Sequence, residues 1–100
     1  MKVVIIEDEK PAADHLEMML KQVIPDIVID KRLSSVKDSI IYLLKKPRID
    51  FIFMDIQLAD GLSFEIIDSV KIDAPIIFTT AYDEYAVKAF KANSLSLIHI

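Results

Sequence analysis

Apolar residues fall along this chain in short blocks separated by longer stretches with helical spacing. Val3-Val4-Ile5-Ile6, Ile27-Val28-Ile29, Phe51-Ile52-Phe53-Met54 and Ile76-Ile77-Phe78 are such blocks, and Leu95, Leu97, Ile98 and Ile100 suggest a fifth. Short runs of β-branched and aromatic residues predict strands buried on both faces. The second run is the weakest, because Asp26 and Asp30 bracket it. Between the blocks, Pro11 suits the first turn of a helix, where its missing N–H costs nothing. Ala12, Leu16, Met19, Leu20 and Val23 then recur at three- and four-residue steps until Pro25. Ser34 or Ser35 can cap a second helix with Val36, Ile40, Leu43 and Leu44 on its apolar face, ended by Pro47. Its stretch Ile40–Leu44 also reads as a strand. Leu62, Ile66, Ile67 and Val70 predict a third helix, and Glu84, Ala86, Val87, Ala89 and Phe90 a fourth. The order β-α-β-α-β-α-β-α-β predicts an α/β fold, a three-layer sandwich with a parallel sheet and helices on both faces.

Composition narrows the picture. One hundred residues is one domain's length, and 53% hydrophobic content is ample for a core. Twelve Lys and Arg against sixteen Asp and Glu leave a net charge of −4, which is no basic nucleic-acid footprint. The absence of cysteine excludes disulfides, thiolate metal sites and thiol catalysis. No apolar run approaches the roughly 20 residues that span a bilayer. Lys2 is followed by only four apolar residues before Glu7, too few for a signal-peptide core. The expectation is a cytoplasmic domain without membrane contact. No glycine-rich loop follows the first strand, so a dinucleotide fingerprint and a P-loop are both missing.

In an open α/β sheet, ligands bind beyond the carboxyl ends of the strands. The first strand ends in Glu7-Asp8-Glu9, the third in Asp55, and the fourth in Thr79-Thr80-Ala81. Taken singly, each acid has an ordinary role as a turn former or a first-turn helix residue. Together they would repel, each raising the others' pKa unless a cation intervenes. Oxygen-only donors suit Mg²⁺. The constellation predicts a hard divalent cation held by Asp8 and Asp55, with Glu7 near it or acting through water. Two chemistries fit: phosphoryl transfer onto Asp55, or a hydrolase on a similar sheet. The hydrolase would want a second Asp two residues after the nucleophile, where this chain has Gln57. Thr80 could hydrogen-bond an acyl-phosphate oxygen only when the phosphoryl group is present, which would make it a switch. Ala81 leaves room for a group reaching Asp55.

Three segments, Val3–Glu9, Phe51–Gly61 and Pro75–Tyr82, resemble the receiver domain of bacterial two-component response regulators. The stretch Ala81–Phe90 further resembles the LytTR (LytR/AlgR-type) branch. The resemblance implies a flavodoxin-like sheet of order 2-1-3-4-5. It also implies that Asp55 is the phospho-acceptor for a sensor histidine kinase, that Glu7 and Asp8 are the acidic pair binding Mg²⁺ with Asp55 and the Gln57 carbonyl, and that Thr80 is the switch hydroxyl. Tyr82 and Tyr85 would lie on the partner-docking surface. Ala59 stands where many members carry proline. Such a domain signals stoichiometrically and is not an enzyme in the turnover sense.

The far end departs from that pattern. Leu97 falls at the family's aromatic position and Ile100 at its lysine position, and His99 occupies an ordinarily apolar place. Lys88 and Lys91 are the nearest lysines. The last helix is missing, so residues 1–100 read as a C-terminally incomplete receiver domain. The uncovered sheet face predicts self-association, as a homodimer or a domain-swapped oligomer. In intact relatives a DNA-binding domain follows, and direct DNA binding is not expected of this chain. Two other readings stay open: a phosphorylation-independent interaction module, and a haloacid-dehalogenase-like phosphatase fragment. His15 reads as a surface residue, His99 has no assigned role, and Lys45 and Lys46 read as a solvated helix end.

Overall fold

The first strand, β1 (Lys2–Ile6), shows how the sequence builds the sheet. Val3 and Ile5 enter a cluster with Ala13 and Leu16, while Val4 and Ile6 enter another with Met54, Ile66 and Phe78. These four side chains are buried, and Lys2 at the strand's start is exposed. Neighbours on a strand point to opposite faces, so only a strand covered on both sides can be apolar at every position. The third strand, β3 (Phe51–Asp55), does the same: Ile52 and Met54 join Val4, and Phe53 joins Val3.

A computed structural model describes residues 1–80 and 96–99, with side chains through Thr79. Beyond β1 and β3, the elements are α1 (Lys10–Val23), β2 (Val28–Leu33), α2 (Val36–Leu44), β4 (Gln57–Leu58), β5 (Gly61–Leu62), α3 (Phe64–Ser69), β6 (Ile76–Thr80) and β7 (Ser96–His99). One five-stranded sheet has the order β2-β1-β3-β6-β7, and every neighbouring pair is parallel. Leaving aside the short β4–β5 hairpin, this is the expected order 2-1-3-4-5. Residues of α1 pack on one face, and those of α2 and α3 pack on the other. The expected fourth helix, with Tyr82, Tyr85, Lys88 and Lys91, lies outside the described residues, as does Ile100. No helix among the described residues is long and apolar enough to cross a membrane.

Four expectations need correcting. First, β2 runs on to Leu33, and Leu33 is its only buried residue. An edge strand needs no apolar residue on every position, and charges there discourage pairing with other chains. Arg32 instead bonds Asp14 of α1 at 2.7 Å, with Glu17 at 3.6 Å. Second, Val23 is 79% exposed, and Ala13 takes the inward position in α1. Third, Leu44 is exposed, because the buried side of α2 is carried by Val36, Ser39 and Leu43. Fourth, α3 begins at Phe64, and Leu62 belongs to the hairpin.

The strand alternative for Ile40–Leu44 falls to the helix, which is capped at both ends. Ser35 accepts the Asp38 amide at 3.0 Å. At the far end, Lys46 turns left-handed (φ 54°) and its amide donates to the Leu43 carbonyl at 3.0 Å before Pro47. Lys45 and Lys46 are exposed, as expected of a solvated helix end.

Two isoleucines on helices give a matched test of the core. Ile66 is fully buried among β3 and β6 residues, while Ile41 is half exposed. Ile66→Ala is expected to cost about 2–5 kcal/mol in urea unfolding, and Ile41→Ala about 0.5 kcal/mol or less.

Candidate functional site

Parallel register brings the strand ends together. Ile6 pairs with Met54, so the chain leaves β1 at Glu7 beside Asp55, the last residue of β3. Asp55 in turn pairs with Thr79 of β6. The Glu7 amide donates to the Leu33 carbonyl at 2.9 Å, which pins this exit to the end of β2 as well. One carboxylate oxygen from each of Glu7, Asp8 and Asp55 lies within 4.8 Å of the other two. Glu7 and Asp55 are half-buried. Asp55 Oδ1 accepts the Ile56 amide at 2.8 Å, and Glu7 Oε2 accepts the Glu9 amide at 3.3 Å. Among the described residues, no basic side chain forms an ion pair with any of the three.

Crowding has an electrostatic consequence. Burial, and then the charge of Asp55, push the Glu7 carboxyl from its ordinary 4.5 up to about 8. Burial raises Asp55 too, against the hydrogen bonds from Glu7 and the Ile56 amide that favour its charged form. Near neutrality the Glu7 carboxyl therefore keeps its proton beside Asp55. A cation would do the same work as that proton. An all-oxygen anionic donor set fits a hard divalent ion.

The other predicted residues are placed as follows. Gln57 lies two residues past Asp55 in β4, with its side chain exposed. Thr80 ends β6 beside the site's strand, opposite His99 of β7 in register. Ala59 occupies the exposed turn of the β4–β5 hairpin. His15 is exposed on α1, as expected. Tyr82 and Tyr85 lie outside the described residues.

Sequence reasoning passed over Asp60. It sits in the hairpin turn, and its two carboxylate oxygens accept the Val36 and Lys37 amides at 2.8 and 3.1 Å. These bonds hold its carboxyl below the usual carboxylate range. The Asp60-Gly61 dipeptide was the available signal, since Asp-Gly marks a tight turn. Gly61 adopts φ +151°, and a Cβ there would run into the Glu65 carboxylate. The helix that Asp60 reaches could not be read from that dipeptide.

Comparison with known proteins gives the same picture. No family profile matches the chain. In sequence, 98% of the chain aligns with the sensory transduction protein LytT of Bacillus anthracis at 37% identity over 102 residues. It aligns with the transcriptional regulatory protein LytR of Staphylococcus aureus at 36% identity over 101 residues, again across 98% of the chain. The chain spans 40% of the length of each of these relatives. In structure, it matches the response regulatory domain of protein mrkE from Klebsiella pneumoniae with a TM-score of 0.79 and 27% identity, covering 99% of this chain and 82% of that one. Sheet order, acidic rim and these likenesses together define a receiver domain of two-component response regulators. Within that class, the chain belongs to the LytT/LytR branch.

The shifted Glu7 carboxyl gives a pH test. The folded state holds more protons than the unfolded state between 4.5 and about 8. Stability of the metal-free protein therefore falls as pH rises through that window. Melting temperatures measured in chelator across it should decline for the native sequence and stay flatter for Glu7→Gln. Equal slopes would mean that the strain lies elsewhere.

Proposed function

We propose that this chain is a phosphoryl-accepting receiver module, with Asp55 taking the phosphoryl group from the phosphohistidine of a sensor histidine kinase. The observation that carries this reading is the gathering of Glu7, Asp8 and a half-exposed Asp55 at one sheet rim. Glu7, Asp8, Asp55 and the Gln57 carbonyl would hold Mg²⁺, which when bound neutralises charge on the transferring group. One Asp55 carboxylate oxygen attacks phosphorus. An O–P bond forms as the N–P bond breaks, and the leaving imidazole keeps the electron pair and takes a proton from solvent. The Ile56 amide, already donating to Asp55 Oδ1, keeps the carboxylate facing the rim.

Thr80 ends the strand next to Asp55 and is the residue we assign to read the acyl phosphate, by a hydrogen bond that exists only in the phosphorylated form. Tyr82 and Tyr85, two and five residues further on, are assigned to the surface that meets a partner. Residues 1–100 act as one receiver domain in the cytoplasm, signalling stoichiometrically. They associate with a second copy as a homodimer or a swapped oligomer, while DNA binding belongs to the full-length regulator.

Incubation with a small phosphodonor and Mg²⁺, followed by intact mass measurement, tests the reading. The native sequence should gain one phosphoryl group. Asp55→Asn and excess chelator should each abolish the gain. A gain that survives Asp55→Asn would assign the acceptor to another residue, and steady release of phosphate from a generic ester would favour a hydrolase.

A further inference from the structure

Hydrogen bonds and short chain segments link the two sides of the acidic rim by way of α2. From Glu7, the amide donates to the Leu33 carbonyl at the end of β2. Three residues on, the Val36 and Lys37 amides donate to Asp60, 24 and 23 residues away in sequence. Asp60 lies in the turn of the hairpin whose first strand carries Gln57. At the hairpin's base, the Ser63 amide and hydroxyl both donate to the Ile56 carbonyl, at 2.8 and 3.0 Å, and Ser63 is fully buried. Ile56 then donates to Asp55, which brings the path back to the rim. Each strand of the hairpin is two residues long, too short to be stable alone. Its position therefore depends on its anchors: Ile56 and Leu58 in the core on one side, and the Ser63 and Asp60 hydrogen bonds on the other.

Asp60 is more than a convenience for the helix. The first turn of α2 already has a local cap in Ser35, which accepts the Asp38 amide. The amides left over, Val36 and Lys37, are the two taken by Asp60. A cap drawn from so far along the chain ties two segments together as well as satisfying the helix. One of those segments follows directly on Leu33 of β2, whose carbonyl accepts the Glu7 amide. The other follows β3 and carries Gln57.

We propose that Asp60 is a positioning residue for the rim, fixing the Gln57 segment against Glu7, Asp8 and Asp55 through the first turn of α2. This rests on the metal-binding reading given above. Partners that orient metal ligands commonly affect affinity even though they never touch the ion.

Calorimetric titration of the full chain with Mg²⁺ tests it, using the native sequence, Asp60→Ala, Asp60→Asn and Ser35→Ala, with folding checked by circular dichroism. Asp60→Ala is expected to weaken Mg²⁺ binding by about tenfold. Asp60→Asn keeps one oxygen acceptor and should fall between, which preserves the test if the alanine variant does not fold. Ser35→Ala weakens the same helix end without touching the hairpin. It should lower the melting temperature and leave Mg²⁺ affinity unchanged. Equal affinity in the native sequence and the Asp60 variants, or an equal loss in Ser35→Ala, overturns the positioning role alone. A native chain that takes up no Mg²⁺ overturns the metal reading and the positioning role together, and the native titration separates that case from the first two.

Discussion

Parallel pairing of β1 with β3 is the constraint on which the rest depends. It aligns Ile6 with Met54, and so sends Glu7 and Asp55 out of the sheet side by side, with Asp8 next to them. Carboxylates at this spacing, half-buried and without a basic partner among the described residues, cannot all be charged at modest cost. Burial and the neighbouring Asp55 charge raise the Glu7 carboxyl to about 8, so a proton on Glu7 relieves the crowding. A divalent cation is the other answer chemistry allows. The apolar runs behind the rim make this arrangement stiff, because β1 and β3 are covered on both faces and a register slip would exchange side chains between two differently packed core layers.

The loops around the rim are held differently from the sheet. Ile56 and Leu58 anchor one of them in the core, and individual hydrogen bonds set the rest. The Leu33 carbonyl, the Asp60 carboxylate and the Ser63 hydroxyl each bind a backbone amide or carbonyl of another segment or of a turn. Through them, the start of α2 is bonded to the Asp60 turn and follows closely on Leu33, which accepts the Glu7 amide. A change at the rim thus has a short bonded route to a surface helix.

A sheet of this order supports many activities, so its outline alone says little about chemistry. The acids at the strand ends narrow the choice, and the likeness to LytT and LytR narrows it further. Those relatives extend well beyond the matched part, to which this chain corresponds. The likeness therefore speaks for the receiver portion, and the residues on its rim must carry the functional argument.

Much was legible in the sequence because burial leaves a periodic mark. The strands β1, β3 and β6 announced themselves as apolar runs, and the acids that end β1 and β3 marked the rim before any coordinates. Where burial is one-sided, the mark fades. An edge position let β2 carry Asp30, Lys31 and Arg32, and the hairpin shortened α3 by claiming Leu62. The sequence by itself determined the alternation of elements and the chemical character of their ends, since both follow from local spacing. It could not determine that Asp60 reaches across to α2, or that Asp55 comes close enough to Glu7 to raise its pKa. Those depend on distances between residues remote along the chain, and such distances exist only once the sheet has set its register.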